Sequence, residues 1–173
     1  MDVSKINSLV ELYFKKVEQI DKKKPFLQWL NPKNNHQYTW EEVTEKIYKF
    51  SYKIKSLIKE GDRVLLLSEN RPEWLIADLA IMNAGGITVP IFTTYAERDY
   101  EYILKDCSPS LIVVSNDSQF EKINKFIDNK EIISFEKIKT SSITFESIFN
   151  EKYEKEINHK LNRKLPACII YTS

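Results

Sequence analysis

Glycine is scarce in this sequence, and the positions of the few glycines exclude several motifs. Gly61, Gly85 and Gly86 are the only three among 173 residues. Neither the GxGxxG loop of dinucleotide-binding folds nor the GxxxxGK(S/T) loop of P-loop ATPases can be placed on them. A GxSxG nucleophile elbow is absent as well. His36 and His159 are isolated and give little support for a nucleophile and base pair, so we expect both to be ordinary surface residues.

Cysteine is equally rare. Cys107 and Cys168 are the only two, which is too few for a disulfide framework and lacks the paired spacing of a structural zinc site. We expect each to be a small buried apolar residue rather than a nucleophile. This cysteine usage predicts a reducing compartment.

An excess of charge of one sign and long hydrophobic runs are also missing. The 26 Lys and Arg residues balance 25 Asp and Glu residues, leaving a net charge of +1, so we expect no nucleic-acid partner. No apolar run approaches the roughly 20 residues of a membrane span, and no secretory signal is recognisable at the N-terminus. We therefore expect a cytoplasmic protein, and peripheral contact with a membrane stays open.

What the sequence does contain is typical of a globular domain with a substantial core. Hydrophobic residues make up 42% and charged residues 29%, and a chain of this size can bury roughly 70% of its unfolded surface. The clearest helix is predicted over 40–58, where apolar residues recur every three or four positions. Thr39 and Glu42 form a capping-box pattern at its start.

Apolar runs of strand length alternate with further helical patterns. Strands are predicted at 63–68, 87–92, 111–115 and 131–135, and helices at 70–83, 94–105, 118–127 and after Thr144. Thr94 and Glu97 repeat the capping-box pattern, and Pro90 marks a strand end or a sheet edge. Strands separated by helices predict an α/β fold with a doubly wound, mostly parallel sheet and helices on both faces.

We interpret residues 1–173 as a single subdomain with four parts. Residues 1–36 hold an N-terminal helix and short strands, and 37–135 form the α/β core. Residues 136–164 are a polar connection, and 165–173 are a final strand.

The final stretch, LPACIIYTS, predicts a buried strand that ends in Thr172 and Ser173. Ligands bind at the carboxyl ends of strands in open α/β sheets, and hydroxyl groups can donate hydrogen bonds to phosphate oxygens. The alternative is a strand that merely ends in two polar residues, and spacing alone favours that alternative.

Residues 38–115 resemble the start of the AMP-binding, acyl-adenylate-forming enzymes. The resemblance is colinear and rests on short matched motifs: the Tyr-Thr-Trp helix start at 38–40, Gly-Asp-Arg-Val at 61–64, Asn-Arg-Pro-Glu-Trp at 70–74, Ala-Gly-Gly at 84–86, and Val89-Pro90 before a Thr-rich loop. In that family the last strand runs into a signature loop of the form YTSG(S/T)TGxPKG. Tyr171, Thr172 and Ser173 match its first three letters.

The resemblance implies that Thr172 and Ser173 begin a loop that holds the phosphates of ATP. It also implies that the sequence stops inside this loop. The remaining phosphate, adenine and metal contacts and the mobile lysine domain would then lie beyond residue 173. We assign no catalytic residue and no metal ligand to this chain, and we expect it to be inactive by itself.

Within the superfamily, NRPEW and TVPIFTTY are most similar to long-chain fatty acid–CoA ligases. That resemblance implies ATP, Mg²⁺ and CoA as cofactors and co-substrates, with a fatty acid activated as acyl-AMP and then transferred to CoA. Two alternatives stay open: another adenylating enzyme, such as a peptide-synthetase adenylation domain, a fatty acyl-AMP ligase or an aryl-CoA ligase, and a non-catalytic binding module on the same scaffold. An incomplete domain would also leave apolar surface exposed, which predicts self-association through that face.

Overall fold

The computed structural model describes residues 3–30, 35–140 and 142–172. A short 3₁₀ turn and helix α1 come first, followed by an antiparallel two-stranded ribbon and then an alternation of helices and parallel strands. The helices are α1 (Leu9–Glu18), α2 (Trp40–Lys55), α3 (Pro72–Asn83), α4 (Glu97–Cys107), α5 (Asp117–Ile123) and α6 (Phe145–Phe149). The strands are β1 (Pro25–Trp29), β2 (His36–Thr39), β3 (Arg63–Leu67), β4 (Ile87–Ile91), β5 (Leu111–Val114), β6 (Glu131–Ser134) and β7 (Ile143–Thr144).

The main sheet confirms the predicted α/β fold. Within the described residues it has five strands in the order β4-β3-β5-β6-β7, and every neighbouring pair is parallel. Side chains alternate between the two faces of each strand. One face packs against α1, α2, α3 and α6, and the other packs against α4 and α5. The sheet is therefore covered on both sides, which explains why its central strands are almost wholly apolar.

Helix α2 confirms the predicted capping box, although it ends at Lys55 rather than near residue 58. The Glu42 N–H donates to Thr39 Oγ1 at 3.2 Å, and the Thr39 N–H donates to Glu42 Oε2 at 2.7 Å. Two backbone donors that have no partner inside the helix are thus satisfied. Val43 and Phe50 of its apolar face are fully buried.

The second predicted capping box, Thr94 with Glu97, is wrong. Helix α4 begins at Glu97 with Ala96 as its N-cap, and Asp99 Oδ2 accepts from the Ala96 N–H at 3.1 Å. The buried Tyr100 explains the shift, because its hydroxyl donates to the Phe92 carbonyl at 2.9 Å and fixes where the helix can start. Asp99, rather than Glu97, then stands three residues after the cap.

Strand β4 lies at the edge of the sheet, as Pro90 predicted. The Thr88 N–H donates to the Ala167 carbonyl at 3.1 Å, and the Ile169 N–H donates to the Thr88 carbonyl at 2.9 Å. Because successive backbone groups alternate in direction, the nitrogen of Pro90 points to the same outer side as that of Thr88. Proline has no N–H to donate there, so the next ladder bond to the terminal segment cannot form.

The predicted buried strand over 165–173 is therefore wrong in extent and in burial. The segment makes a single parallel bridge between Thr88 and Cys168. Its side chains alternate between partly buried and exposed, and Ile170 is 64% exposed. Cys168 is exposed, against our expectation, whereas Cys107 is buried as expected. The terminal segment is more exposed than predicted because it lies at the edge of the sheet, where one of its faces is open to solvent.

The connection over 136–164 is less uniform than its composition suggests. It contains β7 and the expected small helix α6, whose Phe145 and Ile148 are buried in the core. The stretch after α6 is largely exposed. Among the described parts of the chain, no helix combines the length and the apolar character needed to cross a membrane.

Candidate active site

The candidate site is the edge of the sheet where the parallel strands end. Strands β3, β4, β5 and β6 all point their carboxyl ends to this edge, because they are parallel to one another. The terminal segment runs parallel to β4 and so reaches the same edge at Thr172. Ligands of open α/β sheets bind at this position.

Thr172, one of the two predicted phosphate-binding residues, is exposed at this edge. An exposed hydroxyl can donate to an anion that approaches from solvent. The second, Ser173, lies outside the described residues. The structure thus brings Thr172 to the expected edge, and the phosphate contact itself stays a prediction.

Tyr171 attaches the end of the chain to α4 and to the loop before it. The Tyr95 hydroxyl donates to the Tyr171 carbonyl at 3.1 Å, and the Tyr171 hydroxyl donates to Asp106 Oδ2 at 2.6 Å. Burial raises the pKa of Tyr171, and the hydrogen bond to Asp106 raises it further. The phenol therefore stays protonated and remains a donor at neutral pH. The ring of Tyr102 meets the Tyr171 ring edge-on, with centroids 6.2 Å apart.

Glu69, just after β3, is the centre of a second polar cluster at this edge. Its carboxylate accepts from Ser115 Oγ at 2.6 Å, from Gln119 Nε2 at 2.6 Å and from Asn116 Nδ2 at 3.5 Å. Burial raises the pKa of Glu69, but these hydrogen bonds, led by that of Ser115, outweigh burial and hold it below its ordinary value. Lys122 donates to Gln119 Oε1 at 2.8 Å. The cluster joins β3 to the start of α5.

Arg71 joins a further set of elements beside the Glu69 cluster. Its guanidinium pairs with Glu73 at 2.8 Å and with Glu136 at 2.7 Å. It also lies over the rings of Trp29 and Phe135, 4.7 and 5.6 Å from their centroids. The antiparallel ribbon, the start of α3 and the end of β6 are thereby held together.

Other candidate groups are not arranged for catalysis. Burial raises the pKa of the Cys107 thiol to about 11, so the thiol stays protonated and is not a nucleophile. His36 and His159 are exposed, as expected. Within 3–30, 35–140 and 142–172, no three His, Cys, Asp or Glu side chains are grouped so that they could hold a metal ion.

An apolar groove lies away from this edge, on the outer surface of α1 and α3. It has two adjoining parts of about 360 and 390 Å³, and Leu9, Leu12 and Met82 line both. Asp78 lines one part, and burial raises the pKa of its carboxyl group. Sequence reasoning did not find this groove, because it is formed where α1 meets α3 and the stretch around Pro166.

Comparison with known proteins identifies a family and a set of structures with the same fold. The family model described as AMP-binding enzyme matches residues 14–173. The long-chain-fatty-acid–CoA ligase ACSBG2 of Gallus gallus is 32% identical over 105 residues, which cover 58% of this chain and 14% of that protein. The long-chain-fatty-acid–CoA ligase ACSBG1 of Bos taurus is 27% identical over 157 residues, which cover 79% of this chain and 22% of that protein. The chain thus spans less than a quarter of the length of these two relatives.

Solved structures show the same fold. The acyl-CoA synthetase of Brucella canis superposes with a TM-score of 0.76 at 18% identity, covering 90% of this chain and 30% of that one. VinN, solved in complex with 3-methylaspartate, gives a TM-score of 0.79 at 14% identity, covering 97% of this chain and 45% of that one. Both likenesses concern the fold, whereas the family match covers nearly the whole sequence and confirms the resemblance seen in its motifs. This chain belongs to the AMP-binding enzyme family.

Proposed function

We propose that this chain is the N-terminal part of an ATP-dependent fatty acid–CoA ligase. The observation that carries the proposal is the family match over residues 14–173, which includes the Tyr-Thr-Ser start of the signature loop. The position of Thr172 at the carboxyl edge of a parallel sheet agrees with a role at the phosphates of ATP. Long-chain-fatty-acid–CoA ligases among the curated relatives support a fatty acid as the substrate.

The proposed reaction has two steps. A carboxylate oxygen of the fatty acid attacks the α-phosphorus of ATP, and the bond to pyrophosphate breaks, giving acyl-AMP. The sulfur of CoA then attacks the acyl carbonyl, AMP leaves, and the thiol proton passes to solvent. In both steps negative charge is redistributed on phosphate oxygens, so catalysis depends on groups that hold those oxygens.

Within this chain we assign the phosphate contact to Thr172 and Ser173. A hydroxyl donor fits a phosphate oxygen, and Thr172 is exposed where such a ligand would approach. Mg²⁺ would offset charge on the leaving pyrophosphate, and we assign its ligands to residues outside this chain. We likewise assign every catalytic side chain to the longer protein, so that the 173-residue chain alone is inactive.

The test is pyrophosphate exchange with a protein that extends this chain through the signature loop and the remaining domains. We expect exchange of labelled pyrophosphate into ATP that requires a fatty acid, and formation of a CoA thioester once CoA is added. The 173-residue chain serves as the control and should give neither. Pyrophosphate exchange by the 173-residue chain would overturn the assignment of the catalytic groups. If the extended protein showed no exchange, the proposed function would be overturned.

Other outcomes separate the remaining functions. Exchange followed by transfer to a carrier protein rather than to CoA would identify a different adenylating enzyme. Binding of a fatty acid without exchange would identify a non-catalytic module. We further propose that the protein acts in the cytoplasm, where ATP and CoA are available and where thiols such as Cys168 stay reduced, and that any membrane contact is peripheral.

A further inference from the structure

The backbone of the terminal segment is attached to the sheet only up to Ile169. The last ladder bond runs from the Ile169 N–H to the Thr88 carbonyl. Pro90 has no N–H to donate to the Ile169 carbonyl, and in the described part of the chain no backbone bond joins β4 to residues 170–172. Some other contact has to set the direction in which the chain leaves the sheet.

Two side-chain hydrogen bonds supply that contact, and both involve Tyr171. The Tyr95 hydroxyl holds its main-chain carbonyl at 3.1 Å, and Asp106 holds its phenol at 2.6 Å. The first bond fixes the peptide plane between Tyr171 and Thr172. The second fixes the ring, and an O–H···O⁻ bond of this length is charge-assisted and stronger than a neutral one. Together with the Ile169 bond, they hold the segment at three separate points.

We infer that Tyr95, Asp106 and Tyr171 form a clamp that positions the start of the signature loop for the phosphates of ATP. The inference rests on the proposed function for the ligand, whereas the clamp itself rests on the two hydrogen bonds. All three are positioning residues, because their hydrogen bonds act on the backbone that leads into Thr172. Tyr95 lies in the loop after β4 and Asp106 in the last turn of α4, so the clamp joins the signature loop to that helix.

The chain offers matched variants that separate the hydroxyl bonds from ring packing. Tyr171→Phe keeps the ring and removes the donor, whereas Asp106→Ala removes the acceptor. Asp106→Asn retains a neutral acceptor oxygen, so its effect should lie between those of the parent and Asp106→Ala. Tyr102→Phe is the control, because it removes a hydroxyl from the neighbouring, exposed ring but leaves both clamp bonds intact.

The first measurement is amide hydrogen exchange in the 173-residue chain. Exchange at Ile169, whose N–H donates the last ladder bond to Thr88, should be several-fold faster in Tyr171→Phe and Asp106→Ala than in the parent, because local opening of the segment becomes easier. Amides of β3 should exchange at the parent rate in every variant. Equal exchange at Ile169 in Tyr171→Phe and Tyr102→Phe would overturn the clamp.

The second measurement is pyrophosphate exchange in the extended protein. Tyr171→Phe and Asp106→Ala should raise the KM for ATP about tenfold, the effect expected for one lost hydrogen bond. The KM for the fatty acid should not change, whereas a general loss of stability would lower the maximal rate and leave both KM values unchanged. Unchanged KM values for ATP would overturn the positioning role. If the extended protein makes no acyl-AMP at all, the proposed function fails, and the amide exchange still decides whether the clamp exists.

Discussion

Arg71 shows how strongly a single buried charge can matter. Its side chain is only 8% exposed and is paired with Glu73, which is also buried. Removing one member of such a pair leaves the other charge without a partner, which costs about 3–5 kcal/mol. We therefore expect Arg71→Ala to lower the free energy of unfolding by about 3 kcal/mol, measured by urea denaturation.

Two further variants make this prediction specific. Arg98→Ala is the control, because that side chain is 89% exposed and exposed ion pairs contribute little. The double variant Arg71→Leu/Glu73→Leu should recover more than half of the lost stability, since it leaves no buried charge unpaired and the remaining partner, Glu136, is half-exposed to water. Equal stability of Arg71→Ala and Arg98→Ala would contradict the argument.

Glu69 gives a prediction about pH. Its folded-state pKa lies below the ordinary value of 4.5, so its ionised form stabilises the fold above that value and the contribution is lost as the pH falls. The difference in unfolding free energy between the parent and Glu69→Gln should therefore be larger at pH 7 than at pH 3. Glu131→Gln, at an exposed position on β6, is the control. A difference for Glu69→Gln that does not vary with pH would contradict the prediction.

For single residues, the sequence predicted where a residue lies in the fold better than it predicted which residues it contacts. Thr172 reaches the expected edge because it follows a stretch that runs parallel to β4. The partners of Arg71, Glu69 and Tyr171 were not predicted, because most of them lie 46 to 76 residues away in the chain. No local spacing carries such information, and only the completed sheet brings these side chains together.

Helix caps allow a test at the scale of one element. Thr39 caps α2 through its hydroxyl, whereas Ala96 caps α4 with no side-chain acceptor. We expect Thr39→Ala to lower the free energy of unfolding by about 1 kcal/mol and Ala96→Ser to raise it by a similar or smaller amount. Asp99 already occupies the position that completes a capping box with a serine. Thermal unfolding of both variants measures the two effects, and destabilisation by Ala96→Ser would show that the N-cap of α4 was misidentified.

Elements with a strong local pattern were predicted well, and elements that depend on their position in the sheet were not. The periodicity of α2 and the apolar runs of β3 and β5 identify these elements from the local order of residues alone. The terminal segment carries a similar apolar run, yet it becomes an exposed edge, because Pro90 removes a ladder donor and the segment makes a single bridge to β4, with Ile170 64% exposed. The start of α4 shifted for a comparable reason, since the packing of Tyr100 decided it.

At the scale of the whole molecule, the groove along α1 and α3 is an apolar surface that lies open to solvent. Leu9 lines both of its parts and is 54% exposed. Contiguous apolar surface of this kind favours association, whereas single exposed apolar residues do not. The expectation of self-association through the face of an incomplete domain stays a prediction, and we predict that this groove, occupied by a second copy of the chain, is the contact surface.

Sedimentation velocity over a wide concentration range tests this assignment. The parent chain should sediment faster as its concentration rises, because association is governed by mass action. Leu9→Glu should abolish the change, since it places a charge where apolar surface would be buried. Leu30→Glu is the matched control, because Leu30 is 74% exposed and does not line the groove. A parent chain that stays monomeric at high concentration, or a Leu30→Glu variant that behaves like Leu9→Glu, would show that this groove is not the contact surface.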